Sequence, residues 1–86
     1  MKQYEKILKA LANKRRLEII KFLKPRKEAN VSEIATHIKL SFRATSKHLS
    51  VLSGADILDK EQRSLSIYYS LNTNLSPMAK AVISLV

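Results

Sequence analysis

Residues 30–52 read NVSEIATHIKLSFRATSKHLSVL, and this stretch decides the fold. Asn30 and Glu33 have the spacing of a capping box, the reciprocal pair of side-chain-to-backbone hydrogen bonds that begins a helix. Apolar residues then follow at the spacing of one helix face: Val31, Ile34, Ala35 and Ile38. Only two residues further on, Ser41 is a good N-cap for a second, longer helix. Two helices joined by so short a turn predict a helix-turn-helix.

The helix that begins after Ser41 has two unlike faces when its residues are projected at about 100° each. One side is mostly apolar and carries Thr45, His48, Leu49 and Leu52. The opposite side is polar and basic and carries Arg43, Lys47 and Ser50, with Ser46 beside them. The segment SGAD at 53–56 ends the helix. The second helix of a helix-turn-helix enters the major groove of DNA, and a basic outer face suits that position.

Two helices are predicted before this motif. The first has apolar residues at helical spacing: Tyr4, Ile7, Leu8 and Leu11. Asn13 is a good N-cap for the second helix, and Pro25 ends it because proline has no backbone N–H to donate. The core residues of the second helix are Leu17, Ile19, Ile20, Phe22 and Leu23.

The pattern after the motif changes from helical to alternating. Residues 64–71 alternate strictly, which predicts a strand with Leu65, Ile67, Tyr69 and Leu71 on its core face. Residues 57–60 provide a partner strand, and 61–63 the hairpin tip. A last helix has a wide apolar face: Met78, Ala79, Val82, Ile83 and Val86. The order ααααββα predicts a winged helix-turn-helix, mainly α with a small β-hairpin, as a single domain over 1–86.

Composition excludes several classes of protein. The chain has 86 residues, no cysteine and one glycine, which excludes thiolate metal sites, cysteine nucleophiles and a glycine-rich phosphate loop. No apolar run approaches the ~20 residues that cross a bilayer. The N-terminal MKQYEK lacks a signal-peptide core, so a cytoplasmic protein is expected. No catalytic arrangement is present, and we expect no enzyme.

The positive charge is confined to one half of the sequence. The chain carries 16 Lys and Arg against seven Asp and Glu, a net charge of +9. Residues 1–50 hold 13 of the basic and four of the acidic side chains, whereas 51–86 hold three of each. Such a one-sided basic balance is typical of a protein that binds a polyanion. A basic surface kept for solubility is the alternative.

Three segments carry a resemblance to a known family: LANKRRLEIIKFL, VSEIATHIKLSFRATSKHLSVL and SLSIYYSL. Together they resemble the ArsR family of bacterial and archaeal winged-helix repressors. The resemblance implies a homodimeric DNA-binding transcriptional regulator, usually a repressor released by a metal or another signal. The two metal-binding cysteines of the founding members correspond here to Asn30 and Ser32, and residues 76–86 hold no His, Asp, Glu or Cys. We therefore expect no metal site, no cofactor and no evident effector. Two glycines of the family correspond to Asp56 and Ser64.

The candidate DNA-binding residues lie on the recognition helix and on the wing. They are Ser41, Phe42, Arg43, Ser46, Lys47 and Ser50 on the helix, and Lys60, Gln62 and Arg63 on the wing. Arg43 suits a bidentate contact to guanine, and Lys47 suits a base or a phosphate. Phe42 either touches a thymine methyl or packs against the turn. Tyr68 faces solvent or DNA.

The terminal helices are the predicted dimer interface. The candidate interface residues are Tyr4, Ile7, Leu11, Met78, Ala79, Val82, Ile83 and Val86. The basic run 14–16 opposes the dipole of the helix it begins, which indicates a nearby anion or a carboxylate bound by Arg16. His37 and His48 are expected to pack and to form hydrogen bonds rather than to bind a metal. A sequence-independent DNA-coating protein and a protein-interaction module are the alternative functions.

Overall fold

The computed structural model describes residues 2–86 and arranges them as five α-helices and a three-stranded antiparallel sheet. In chain order the elements are α1 (Lys2–Leu11), α2 (Lys14–Leu23), β1 (Ala29–Asn30), α3 (Val31–Ile38), α4 (Phe42–Gly54), β2 (Leu58–Arg63), β3 (Ser66–Leu71) and α5 (Pro77–Ile83). Helices α3 and α4 form the helix-turn-helix, and β2 with β3 forms the wing. The predicted winged helix-turn-helix is confirmed.

The predicted caps begin the helices. Asn13 accepts a hydrogen bond from the backbone of Arg16 at 3.1 Å, and Ser41 accepts one from Ala44 at 3.1 Å. At the start of α3 both hydrogen bonds of the capping box form, each 2.9 Å long, between Asn30 and Glu33. These contacts join residues three positions apart, which is why the sequence alone reveals them.

The turn between α3 and α4 is built on a left-handed residue. Lys39 has φ of 57° and ends α3. The next residue, Leu40, donates its N–H to the carbonyl of Ala35 at 3.1 Å. This bond closes the end of α3 and sends the chain directly into α4. Lys39 itself is exposed on the turn.

The wing differs from the prediction at its tip. Arg63 pairs with Ser66, so 61–63 belong to β2 and the loop contains only Ser64 and Leu65. Leu65 is 99% exposed rather than in the core. The prediction was wrong there because side-chain alternation applies to paired strand residues and stops at the turn. Tyr69 is buried as predicted, and Tyr68 is half-buried.

The structure contains a third strand that the sequence did not predict. Strand β1 has only two residues and pairs with β3, placing Ala29 opposite Tyr69 and Asn30 opposite Tyr68. Two residues are too few for an alternating pattern to be recognised. The pairing ties the start of α3 to the middle of the wing, so the recognition motif and the wing are held by the same strand.

One apolar core joins the helices to the wing. Its fully buried large side chains include Ile19, Ile20, Leu23, Ile34, Ile38, Leu49, Leu52 and Ile57. Thr45, Leu49 and Leu52 point inward from α4, as the helical projection predicted. Burial of this face leaves the other side of α4 directed outward.

Three basic residues of α2 and its C-cap hold the ends of three other helices. Arg15 donates to the carbonyl of Ile38 at 2.7 Å, at the end of α3. Arg16 donates to the carbonyls of Ala10 at 2.6 Å and Lys9 at 3.1 Å, at the end of α1. Lys24 donates to the carbonyls at 83 and 86, at 3.1 and 2.9 Å, near the end of α5. A cation at a helix C-terminus is favourable because unpaired carbonyls and the dipole meet it there.

These contacts correct the interpretation of the basic run 14–16. No bound anion is needed to explain Arg15 and Arg16, because both bind backbone carbonyls. Arg16 has no carboxylate partner among the described residues; only Arg15 has one, Glu18 at 3.4 Å. The cost of placing these charges at the start of α2 is offset at the ends of α1 and α3.

Replacing Arg16 by methionine is expected to lower the stability of the fold. The variant loses charged hydrogen bonds to two carbonyls and to His48, and one such bond contributes about 1.5–3 kcal/mol. For a domain of this size each kcal/mol lowers Tm by about 4–8 °C. Lys14→Met is the matched control, since Lys14 is exposed on the same helix. Thermal denaturation measures both, and equal Tm values would contradict a role of Arg16 in holding α1.

Candidate nucleic-acid interface

The outward face of α4 carries the predicted polar and basic residues. Arg43, Lys47 and Ser50 are exposed, and Ser46 is half-buried beside them. Within residues 2–86, neither Arg43 nor Lys47 has a hydrogen-bond or ion-pair partner. Two cations one helical turn apart are therefore available to an external anion or base edge. Ser41 lies at the start of this face, where its hydroxyl caps the helix.

Phe42 stands on the exposed edge of the same helix. The residue is 59% exposed, although its side chain is a large apolar group. The structure therefore does not support packing of Phe42 against the turn. An aromatic ring at the first position of α4 faces away from the core.

A groove separates α4 from the wing. Its helical wall is formed by Phe42, Ser46 and Ser50, and its wing wall by Lys60, Leu65, Ile67 and Tyr69. Lys60 and Gln62 lie on the sheet face toward this groove, because they pair with Tyr69 and Ile67. Five of the predicted DNA-binding residues, including Gln62, thus surround one concave surface.

Arg63 lies on the other face of the wing, where it is bound by protein. Its guanidinium donates two hydrogen bonds to the carboxylate of Glu28, one of them 2.7 Å long, and two to Glu61, at 2.6 and 3.1 Å. The same group lies 4.7 Å from the centre of the Tyr68 ring. Its hydrogen bond and charge hold the pKa of Glu28 below its usual range, and the two carboxylates raise the pKa of Arg63.

This arrangement argues against Arg63 as a DNA contact. Two carboxylates already match its charge, and its strand position turns it away from the groove. Sequence reasoning missed the pairing because Glu28 is 35 residues away and no local pattern joins the two residues. Arg63 instead ties the wing to the segment that precedes α3.

We expect the double variant Arg63→Gln/Glu28→Gln to bind DNA with an unchanged salt dependence. The charges of Arg63 and Glu28 are removed together, so the Glu28 carboxylate is not left unpaired to repel the duplex. A lysine or arginine that binds a phosphate lowers the slope of log K against log salt by about 1 when it is removed. Lys60→Gln is the comparison, and because the dimer carries this residue twice its slope is expected to fall by about 2. A reduced slope in the double variant would mean that Arg63 does contact DNA.

Some apolar residues of the terminal helices are buried in the protomer, and others are exposed. Leu11, Ala79 and Ile83, which were predicted for the dimer interface, are buried in the protomer's own core, so they offer little surface to a partner. Amphipathic spacing identifies an apolar face but not the surface that covers it. Tyr4 remains half exposed, while Ile7, Met78, Val82 and Val86 are partly buried. Leu8 and Leu85 were not predicted for this interface, and they are 49% and 85% exposed.

The two histidines lie in different surroundings. His37 stacks on Phe22, with ring centres 4.3 Å apart. His48 Nδ1 lies 3.2 Å from the guanidinium of Arg16. These contacts agree with the expected packing and hydrogen bonding. Burial lowers the pKa of His48 below its usual 6.5, and the charges of Arg16 and Arg15 lower it further.

Stability is therefore expected to fall as the pH drops below about 6.5. The unfolded chain protonates His48 before the folded chain does, so protons favour unfolding in that range. Glu28 has a similar effect only at lower pH, because its pKa lies below 4.5. His48→Gln is expected to reduce the difference between Tm at about pH 7.5 and about pH 5.5. An undiminished difference in the variant would assign the pH effect to other groups.

Comparison with known proteins identifies the family. Residues 13–60 match the model described as "Bacterial regulatory protein, arsR family". The chain belongs to the arsR family.

Named relatives cover nearly the whole chain. The transcriptional repressor PagR of Bacillus anthracis is 34% identical over 93% of this chain and 77% of its own length. Its crystal structure superposes with a TM-score of 0.79, at 32% identity, over 98% of this chain and 92% of that one. The transcriptional activator HlyU of Vibrio cholerae is 34% identical over 93% of this chain and 70% of its own length.

A third similar protein has a structure described as homodimeric. It is the winged helix-turn-helix DNA-binding domain of a possible ArsR-family transcriptional regulator from Mycobacterium bovis, solved by solution NMR. Its TM-score is 0.82 at 26% identity, and the match covers 98% of this chain and 74% of that chain. The fold of the chain is thus that of arsR-family regulators.

The structure describes the four positions at which this chain departs from the expected family pattern. Asn30, at the first cysteine position, caps α3 and is held by the capping box. Ser32, at the second, is exposed. Asp56 and Ser64, at the glycine positions, have φ of 59° and 56°. The backbone thus keeps the left-handed conformation that favours glycine, and aspartate adopts it more readily than most residues.

The described residues include no helix long and apolar enough to span a membrane.

Proposed function

We propose that this arsR-family chain is a homodimeric, sequence-specific regulator of transcription that binds double-stranded DNA. The observation that carries this proposal is the outward face of α4, where Arg43 and Lys47 are exposed without protein partners. We propose repression as the direction of regulation, because a dimer bound across its site excludes other proteins from that DNA. The proposed function is binding rather than catalysis, and its proposed location is the cytoplasm.

The recognition helix enters the major groove in this proposal. The N-terminal residues of such a helix face the base edges. Arg43 binds the O6 and N7 atoms of a guanine, and Lys47 binds a base or a phosphate one turn further on. Ser46 and Ser50 are short hydrogen-bond donors on the groove side. Ser41 and the free backbone amides of the first turn bind a phosphate, since the N-terminus of a helix attracts anions.

The wing lies along the DNA backbone next to the recognition helix. Lys60 and Gln62 are the wing residues proposed to reach phosphates or the adjacent minor groove. This role is supported by the sheet face that the two residues share, because it borders the same groove between α4 and the wing as Phe42 and Ser46. Arg63 positions the wing from its other face.

The terminal helices of the domain, which spans 1–86, are proposed to form the two-fold interface. The proposed residues are those with accessible apolar surface: Tyr4, Ile7, Leu8, Met78, Val82, Leu85 and Val86. A chain this small buries a limited core, so an exposed apolar stripe on α1 favours a partner. The homodimeric M. bovis relative supports the same assembly. Two recognition helices would then meet successive major grooves, about 34–36 Å apart.

A binding selection tests the proposal. The full chain is mixed with a random duplex pool at about 150 mM salt, near physiological ionic strength, and the bound duplexes are sequenced. Enrichment of a two-fold symmetric motif is the expected result. Enrichment of a single asymmetric site would contradict the dimer. Binding without enrichment would favour a DNA-coating protein, and absence of binding a protein-interaction module.

A further inference from the structure

We infer that Phe42 reads the 5-methyl group of a thymine in the major groove, at a base pair beside the one that Arg43 contacts. The inference rests on the proposed function and adds a specificity determinant to it. Discrimination at that position then depends on one methyl group rather than on a hydrogen bond.

The position of Phe42 brings it to a base edge. It is the first residue of α4, directly after the Ser41 cap. The first residues of a recognition helix are those that reach into the major groove. Arg43 follows in sequence and is also exposed, so the two side chains address neighbouring base pairs.

The exposure of Phe42 indicates an external contact. More than half of the surface of this residue remains accessible in the protomer, at 59%. Another exposed apolar residue lies on the wing, where Leu65 is 99% exposed. Phe42 and Leu65 line opposite walls of the same groove, with Ile67 beside Leu65. The mouth of this groove is therefore apolar on both sides.

The chemical groups in the DNA major groove determine which base the ring of Phe42 contacts. Thymine presents a methyl group in the major groove, whereas the other edges there present hydrogen-bond donors and acceptors. Phenylalanine offers no hydrogen bond to such groups, so a polar edge against the ring would lose its water without compensation. A methyl group gains from the same contact. The ring thus favours thymine over cytosine and over uracil.

Removing single methyl groups from the DNA tests the inference. The probe is the duplex recovered with the wild-type chain, in which each thymine is replaced in turn by deoxyuridine, which lacks only the methyl group. We expect one thymine in each half-site at which this replacement weakens binding roughly fourfold, the value of one buried methyl-sized group. Replacement in both half-sites together is expected to weaken binding by roughly 15-fold.

Variants assign the effect to the ring. Phe42→Ala is expected to bind thymine and deoxyuridine probes equally at that position, and Phe42→Leu to keep part of the difference. Val51→Ala is the matched control, because Val51 is another exposed apolar residue of α4, and its deoxyuridine profile is expected to equal that of the wild type. Tm values of the variants check that each is folded.

The outcomes separate this inference from the function on which it rests. A selected motif with no thymine sensitive to deoxyuridine would overturn the role of Phe42 and leave sequence-specific binding intact. A sensitive thymine that stays sensitive in Phe42→Ala would assign the methyl contact to another residue. Failure of the wild-type chain to enrich any motif would overturn the proposed function itself.

Discussion

Affinity for the selected duplex is expected to fall by a factor of about 10³–10⁵ when salt rises from 50 to 200 mM. That range corresponds to a dimer that makes about 6–10 contacts to phosphates, each of which releases counterions from the DNA. About 6–10 phosphate contacts in the dimer correspond to three to five cations from each protomer.

The structure shows which cations are available for those contacts. The net charge of +9 overstates the supply, because Arg15, Arg16 and Lys24 hold helix ends and Arg63 is bound by two carboxylates. Cations around the recognition motif remain exposed: Lys39 on the turn, Arg43 and Lys47 on α4, and Lys60 on the wing. Because Arg43 is assigned to a base, Lys39, Lys47 and Lys60 supply three phosphate contacts in each protomer, which is the lower end of the expected range.

Fluorescence anisotropy with a labelled duplex, repeated over a series of salt concentrations, measures this slope. A random duplex of equal length is the control for sequence-independent attraction. A nearly flat salt response would show that phosphates contribute little and would argue against DNA as the main ligand. A steep slope with equal affinity for both duplexes would favour the coating protein.

The parts of the fold that were predicted are those that neighbouring residues specify. Asn13, Asn30 and Ser41 begin helices through bonds to residues three positions ahead, and the inner face of α4 follows from its 3.6-residue period. Leu65 shows the limit of this reasoning. It belongs to an alternating pattern in the sequence, but the pairing of β3 begins only at Ser66, so the side chain of Leu65 lies in the turn.

The candidate site was predicted on the helix and only partly on the wing. Which side of α4 faces outward depends on its own sequence, so Arg43 and Lys47 were identified correctly as exposed cations. The role of Arg63 depends on Glu28, which the fold brings next to the wing through the pairing of β1 with β3. Likewise, the anchoring of α1 by Arg16 depends on carbonyls of another helix. Such contacts have no signal in a local pattern.

Arg43→Ala is expected to weaken binding to the selected duplex strongly and binding to a random duplex only slightly. A bidentate contact of arginine to guanine contributes about 1–3 kcal/mol of discrimination. A dimer loses two such contacts at distant sites, whose effects add to about 2–6 kcal/mol. The ratio of the two affinities should therefore fall by roughly 30-fold to 10⁴-fold.

Two control variants separate base reading from charge. Arg26→Ala removes the same charge from a residue that lies over the Phe22 ring rather than on α4, and it is expected to change neither affinity much. If Lys47 contacts a phosphate, Lys47→Ala weakens binding to both duplexes alike and lowers the salt slope by about 2, about 1 for each protomer. Equal losses on both duplexes for Arg43→Ala would place Arg43 on a phosphate as well. Specificity would then have to come from the remaining residues of α4 or from the shape of the DNA, since Arg43 is the one arginine on that helix.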